Sequence, residues 1–207
     1  MLSEFSSEKI DAALSRVDDA LAGHPSAQAA LRRVGQTKSL TPDLKVDLYA
    51  NHALAMQVGK DLSIPMIDAR PEDGFSWNGT AVATQTETAV LLHEFAHWQV
   101  APESRRCLPD FGLGAGPETG RVAQAEAACC VDDQTKIREE DLASLLGILW
   151  EAEIGGPAII AFCEQNWLEL AQRPGTAAHF VSVLDDLEVR KLINAGGFPV
   201  RRRGSIQ

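Results

Sequence analysis

The stretch TAVLLHEFAHWQV, residues 88–100, places His93 and His97 four residues apart, with Glu94 directly after the first. Residues four apart lie on one face of an α-helix, so both imidazoles can reach one metal ion, and Glu94 reaches the same region from the side. The neighbouring residues are apolar, which predicts a nearly buried helix in which unpaired polar groups are costly. A bound ion would satisfy them. We therefore predict that His93 and His97 bind a metal, in the pattern HExxH.

The third ligand of such an ion is expected on the next regular element. The segment LPDFGLGAGPETG, residues 108–120, contains too many Gly and Pro residues for regular structure and predicts a loop. The helix that begins near residues 118–122 carries Glu126 among small apolar residues, an unusual place for a solvated acid. We predict Glu126 as the third ligand. The alternatives are Glu118 in the loop and Asp132 and Asp133 in a polar run, whereas the isolated histidines His24, His52 and His179 are not predicted to bind the ion.

Three further residues near the motif are candidates for supporting roles. Arg105 and Arg106 can hold an acidic ligand beside the ion, although the end of an exposed helix favours such residues in any case. Asp110 is a candidate hydrogen-bond partner that fixes the tautomer of a ligating histidine. The Gly-rich segment after it is expected to shape the rim of the pocket. Glu94 is predicted to be a catalytic base and not a ligand.

Composition excludes several classes of partner. The formal net charge of -10 and pI near 4.9 oppose direct binding to nucleic acid or to an anionic membrane. Cys107, Cys129, Cys130 and Cys163 show neither zinc-ribbon nor disulfide spacing, which is typical of a reducing cytoplasm. No run of eighteen apolar residues occurs, and the N-terminus carries no secretion signal. The sequence makes no prediction of the oligomeric state.

Along the chain, helical periodicity dominates. Residues 8–33 predict an amphipathic helical pair broken by Gly23 and Pro25, and a third helix is expected from Thr41-Pro42 to Gly59. Residues 64–67 and 75–82 predict a small sheet or hairpin before the motif. Later helices are expected over about 139–153, 158–172 and 176–192. We predict a mainly helical α+β domain with a zincin-like HExxH helix packed on a second ligand-bearing helix, organised as an N-terminal helical region, 1–60, and a metal-binding catalytic region, 61–207, in one compact unit.

The motif and its surroundings resemble the elongation factor P hydroxylase family, which modifies a lysine of a translation factor. The resemblance is carried by LLHEFAHW and APESRRCLPDFG, in which the matching residues are His93, Glu94, His97, Trp98, Ala101, Arg105, Arg106, Asp110, Phe111 and Gly112. It continues more weakly through QAE at Glu126, GGPAIIAFCEQNW and NAGGFP. The resemblance implies a metal held by His93, His97 and Glu126, and insertion of oxygen into a protein lysine. It departs in a longer N-terminal region and a shorter Gly-rich loop.

The predicted ligand set fits two kinds of chemistry. Two histidines and one carboxylate with open positions suit non-heme iron and oxygen activation, and the same ligands with Glu94 as base suit hydrolysis of peptides by zinc. The sequence after Glu126 offers no obvious donor for a tetrahedral oxyanion, and the only tyrosine, Tyr49, lies far upstream. This favours oxygen activation by iron over hydrolysis, and the resemblance implies elongation factor P or a similar factor as the substrate. A zinc peptidase is the alternative. A metal-containing binding module without turnover is the third possibility.

Overall fold

Two helices precede the motif helix in the chain. The computed structural model describes residues 6–41, 47–72, 75–116, 120–168 and 175–201. Helix α1 spans Ser7–Ala20, helix α2 spans Pro25–Gln36, and a 3-10 turn follows over Thr37–Leu40. The Ser6 side chain caps α1 by accepting from the backbone N–H of Lys9, and Pro25 begins α2 where a missing N–H costs least. The predicted helical pair is confirmed.

Helix α3 spans His52–Asp61 and begins later than the sequence predicts. The proposed start at Pro42 lies outside the described residues, but residues 48–50 form a turn and Asn51 adopts a left-handed conformation with φ 60°. Asparagine tolerates this conformation, which interrupts the helical path. The Asn51 side chain donates to the carbonyl of Ile154 at 3.1 Å, so the interruption is anchored to the rest of the fold.

The strands form a small parallel sheet. Strand β1 is Met66–Ile67 and strand β2 is Val82–Ala83, with Met66 opposite Val82 and Ile67 opposite Ala83. An additional antiparallel bridge joins Trp77 to Val82. Both strands overlap the extended segments predicted from the sequence. Of the two predicted arrangements, a small sheet or a hairpin, β1 and β2 form the small sheet.

The remaining helices surround the motif. Helix α4 spans Thr88–Val100 and is followed by 3-10 turns over Glu103–Arg105 and Pro109–Gly112, and then by α5, Val122–Ala128, α6, Asp133–Glu153, α7, Ile159–Glu164, and α8, Thr176–Val189. Helix α6 starts before the predicted residue 139, because the Asp132 side chain caps it by accepting from the Thr135 N–H at 2.7 Å. The predicted helix over 158–172 is helical only at 159–164 within the part that is described.

Packing centres on α4 and α6, which make the most extensive contact between any two described elements. Helices α1 and α2 pack on α8 and α6, so the N-terminal helices share a hydrophobic core with the motif. The largest side chains of this core are Trp77, Phe95, Trp150, Phe162 and Phe180. The chain is thus a mainly helical, single compact α+β domain. No helix among the described residues is long and apolar enough to cross a membrane.

Candidate metal centre

Three ligand atoms converge between α4 and α6. The Nε2 atoms of His93 and His97 lie 3.0 Å apart, and Oε2 of Glu140 lies 3.5 Å and 3.4 Å from them. Ligands that sit about 2.0–2.2 Å from one ion are separated from each other by roughly 3.0–3.5 Å in tetrahedral or octahedral geometry. The triangle has these dimensions, so His93, His97 and Glu140 could hold a metal ion.

The helices explain how a distant glutamate reaches the histidine pair. Glu140 lies in the second turn of α6, and Gly147, seven residues later, lies on the same face of the helix. The missing side chain at Gly147 lets α6 approach the backbone of α4 at His93. This close approach directs Glu140 towards both imidazoles.

Electrostatics couple the three residues. Burial alone would raise the pKa of Glu140, but hydrogen bonding and positive charge from His93 and His97 outweigh it and lower the pKa below its usual range. Burial opposes a charge on His97, yet Glu140, Glu94 and Glu139 outweigh it and raise the pKa of His97. The His97 side chain is only 6% exposed, while that of Glu140 is 45% exposed. The centre therefore has a buried wall and an open side.

Glu94 is not part of this group of three, although it lies close enough to His93 and His97 to interact with their charges. Burial raises the pKa of Glu94, with Glu140 acting in the same direction, while His97, His93 and a hydrogen bond from Ser76 act in the opposite direction. A carboxylate with a raised pKa next to an ion suits a group that accepts and returns a proton. Ser76 belongs to the extended segment before β2, and its carbonyl accepts from the backbone N–H of Ala83 in β2.

Glu126 is not brought to the histidine pair, and the predicted third ligand is replaced by Glu140. The Glu126 side chain is exposed on the short helix α5, and its Oε1 accepts from the backbone N–H of Ala115 at 2.9 Å. It therefore ties α5 to the Gly-rich loop. Of the small apolar neighbours that suggested a ligand, Ala125 is buried, whereas Ala127 is exposed like Glu126 itself.

The rival acids also lie elsewhere. Asp132 caps α6 and Asp133 is its first residue, so both serve the start of the helix whose second turn carries Glu140. The hydrogen bonds of Asp132 with Thr135 lower the pKa of this carboxyl. Glu118 lies outside the described residues.

Asp110 lies close enough to Glu94 and His97 to feel their charges, but it does not hold a histidine ring. Burial, followed by the charge of Glu94, raises the pKa of Asp110 to about 7. The Nδ1 atoms of His93 and His97 are buried and have no hydrogen-bond partner among the described residues. The predicted hydrogen bond from a ring to Asp110 is therefore not formed. Asp110 adopts a left-handed conformation, with φ 45° and ψ 36°, in the 3-10 turn over Pro109–Gly112. The ring of Phe111 in the same turn stacks on that of His97.

Arg105 and Arg106 have different surroundings, and neither lines the cleft beside His93 and Glu140. The guanidinium of Arg105 pairs with the buried Glu139 and donates to the carbonyl of Phe111 at 3.0 Å. It thus links the segment after α4 to α6. Arg106 lies over the ring of Trp98 at 4.8 Å and borders a separate surface cavity. These positions favour structural roles over the predicted capture of substrate.

An open cleft of about 540 Å³ adjoins the triangle. His93 and Glu140 form part of its wall, and the rest comes from α6, the residues after α7 and the start of α8, including Trp167 and His179. None of the described residues 108–116 lines it, so the predicted rim is not found there. His179, which the sequence suggested was isolated, faces this cleft. His52 instead contacts the carbonyl of Thr84, and His24 precedes α2.

Two residues of the site were missed from the sequence. Glu140 stands in the acidic run REED, where a solvated face is the ordinary interpretation. One feature of the sequence does indicate Glu140: it precedes Gly147 by seven residues in a predicted helix. This spacing places the acid on the same helix face as a glycine that allows another helix to approach closely. His179 carried no local signal, since its position depends on how α8 packs on α6.

Comparison of the chain with family models, curated proteins and solved structures finds no match. The geometry of the site and the resemblance over residues 91–112 are therefore the bases for a functional proposal.

Proposed function

We propose that this chain is a metal-dependent enzyme whose ion is held by His93, His97 and Glu140. The observation that carries the proposal is the triangle of ligand atoms, with sides of 3.0, 3.4 and 3.5 Å, beside an open cleft. The third ligand of the proposed site, Glu140, lies on a second helix that packs against the HExxH helix, and this supports the zincin-like arrangement that we propose. The adjacent carboxylate of Glu94 favours a catalytic site over a purely structural one, since structural sites have no need of a free base.

The reaction we propose is hydroxylation of a modified lysine on elongation factor P or a similar translation factor in the cytoplasm. Two histidines and one carboxylate with open positions suit iron, which would supply oxygen activation when bound. The resemblance over residues 91–112 supports this choice of substrate. With Glu140 in the place predicted for Glu126, the proposed ligand set still consists of two histidines and one carboxylate. The expected chemistry is therefore retained.

The residues of the chain have distinct parts in this proposal. His93, His97 and Glu140 orient the ion, and the 540 Å³ cleft is of the size that admits one side chain of a protein substrate. Glu94, whose carboxyl lies close to His93 and His97, would accept or return a proton at the reacting group. The low exposure of His97 keeps water from one side of the centre.

Hydrolysis by zinc is the second candidate, and one observation favours it specifically. A peptidase needs a polar group across the cleft to stabilise a tetrahedral oxyanion, and the sequence offered none. The structure places His179 in the same cleft as His93 and Glu140. This removes the argument by which the sequence disfavoured hydrolysis, and Glu94 would then be the base that activates water.

The experiment is mass spectrometry of elongation factor P from the same organism after incubation with the protein, ferrous iron and a reductant. The hydroxylase proposal predicts a mass increase of about 16 Da on the factor, as oxygen insertion requires. H93A, which lacks one ligand, is the negative control. An unmodified factor, together with zinc-dependent cleavage of a peptide library, would contradict hydroxylation and support the second candidate.

A further inference from the structure

His179 lies in the wall of the cleft that His93 and Glu140 border. Its side chain is 46% exposed, so the ring is accessible to a molecule that enters the cleft. The residue lies on α8, whereas the candidate metal ligands lie on α4 and α6. The cleft therefore brings a third helix to the place where a substrate would meet the ion.

The imidazole of His179 is fixed from two sides. Its Nε2 lies 3.4 Å from Oδ2 of Asp141, and its ring stacks on that of Trp167 with centroids 5.3 Å apart and an interplanar angle of 14°. Trp167 is itself fixed, because its Nε1 donates to the hydroxyl of Ser144 at 3.0 Å. These two contacts restrict the ring before a ligand arrives, which lowers the cost of binding.

Asp141 directly follows Glu140 on α6. The same helical turn thus supplies a metal ligand and the carboxylate that orients His179. The distance between the ion and the imidazole therefore depends on how α4, α6 and α8 pack together. A rigid two-point site of this kind selects ligands by length and by the position of their polar groups.

We propose that His179 is a positioning residue that hydrogen-bonds an N–H group of the substrate while another part of the substrate reaches the ion. In the neutral ring with its proton on Nε2 towards Asp141, Nδ1 is an acceptor. Among the described residues that line the cleft, the carboxylates of Glu140 and Asp141 suit a ligand that presents N–H donors. This inference rests on the proposed metal site and on the hydroxylase proposal, since an oxyanion in the hydrolysis alternative would need His179 to donate and not to accept.

The test uses acetohydroxamate, whose two oxygens bind a metal ion and whose N–H remains available. Its affinity for the zinc-loaded full chain is measured by calorimetry in wild type, H179F and H179Q. H179F keeps a ring to stack on Trp167 but has no nitrogen, and H179Q keeps an acceptor oxygen. We expect affinity to fall roughly tenfold in H179F and to remain within about threefold of wild type in H179Q, as the loss of one hydrogen bond predicts.

V189A is the matched control, because Val189 lies on the same helix as His179, is exposed and does not line the cleft. We expect its affinity for acetohydroxamate and its zinc content to equal those of wild type. Equal affinities in wild type and H179F would overturn the inference, and an equal loss in H179F and H179Q would overturn it as well, since packing would then be the cause. A wild type that takes up no zinc would contradict the proposed metal site itself, and this inference with it.

Discussion

The backbone of Gly147 lies against that of His93, and a Cβ atom at position 147 would stand 3.1 Å from both the Cα and the N of His93. The neighbour is main chain within α4, which cannot move aside as a flexible side chain can. Because α6 also carries Glu140, the separation of the two helices at this point controls the separation of the candidate ligands. A side chain at position 147 is therefore expected to change the spacing of the three candidate ligands.

We expect G147A to weaken metal binding. The added methyl group must push α6 away from α4 by a few tenths of an ångström, and overpacking of this kind costs about 1–3 kcal/mol of stability. Competition with a chromogenic chelator should show an affinity for zinc at least several-fold below that of wild type. G35A is the control, since its new methyl group would meet only the side chain of Leu14. An unchanged affinity in G147A would show that the approach of the helices does not determine the site.

Local features of the sequence were sufficient to predict the motif helix. The apolar residues around His93 and His97 predicted a buried helix, and α4 contains Leu91, Leu92, Phe95 and Ala96 in fully buried positions. The helical pair before it followed from periodicity and from Pro25. Such features depend on residues close in the chain, and hydrophobic period and capping chemistry report them directly.

The third ligand depended on tertiary packing. Glu126 was favoured because its neighbours are small and apolar, but α5 is only seven residues long and presents this acid to the Gly-rich loop. Glu140 reaches the ion site only because α6 lies along α4 and approaches it at Gly147. Neither crossing geometry nor helix register against a distant partner is encoded in local periodicity.

E94Q should retain the metal and lose activity. The amide preserves the shape of Glu94 but cannot accept a proton, and loss of a general base lowers the rate by about a hundredfold or more. Metal content and conversion of elongation factor P, measured on the same preparation, check this. E87Q is a matched change of acid to amide at the start of the same helix, where the side chain makes no capping hydrogen bond. If E94Q loses the metal, Glu94 is a ligand.

R105M should reduce stability more than substrate binding. The side chains of Arg105 and Glu139 are only 12% and 9% exposed, and removal of one partner leaves the other charge buried. Breaking such a pair costs about 3–5 kcal/mol. Urea denaturation should show this loss for R105M, a partial recovery in the double variant R105M/E139L, and a change below about 1 kcal/mol for R106M. A stability of R105M equal to that of wild type would restore Arg105 as a candidate for binding substrate.

Glu151 should make stability fall as pH rises from 5 to 8. Burial, followed by the charge of Glu164, raises the pKa of the Glu151 carboxyl to about 7 in the folded protein. The unfolded chain releases this proton near its ordinary pKa of about 4.5, so between these two values ionisation favours unfolding. The contribution of protonated Glu151 to the free energy of unfolding is therefore complete below pH 4.5 and is lost as pH rises through 7. E151Q removes this loss and should gain on the order of 2 kcal/mol relative to wild type between pH 5 and 8.

The check is urea denaturation of wild type and E151Q at both pH values, with E153Q as the control on the same helix. Glu153 pairs with Arg201 near the surface, and its replacement should shift stability by about 1 kcal/mol or less at either pH. A difference between E151Q and wild type that does not change with pH would contradict the raised pKa.

The most direct measurement of the metal centre is elemental analysis of three proteins purified in parallel without added metal: wild type, E140Q and E126Q. Glu140 lies within 3.5 Å of both imidazoles, whereas Glu126 accepts a hydrogen bond from Ala115. We predict one ion per chain in wild type and E126Q, and little or none in E140Q, because removal of a ligand charge opens the site. Full metal in E140Q with loss of metal in E126Q would contradict the assignment of Glu140.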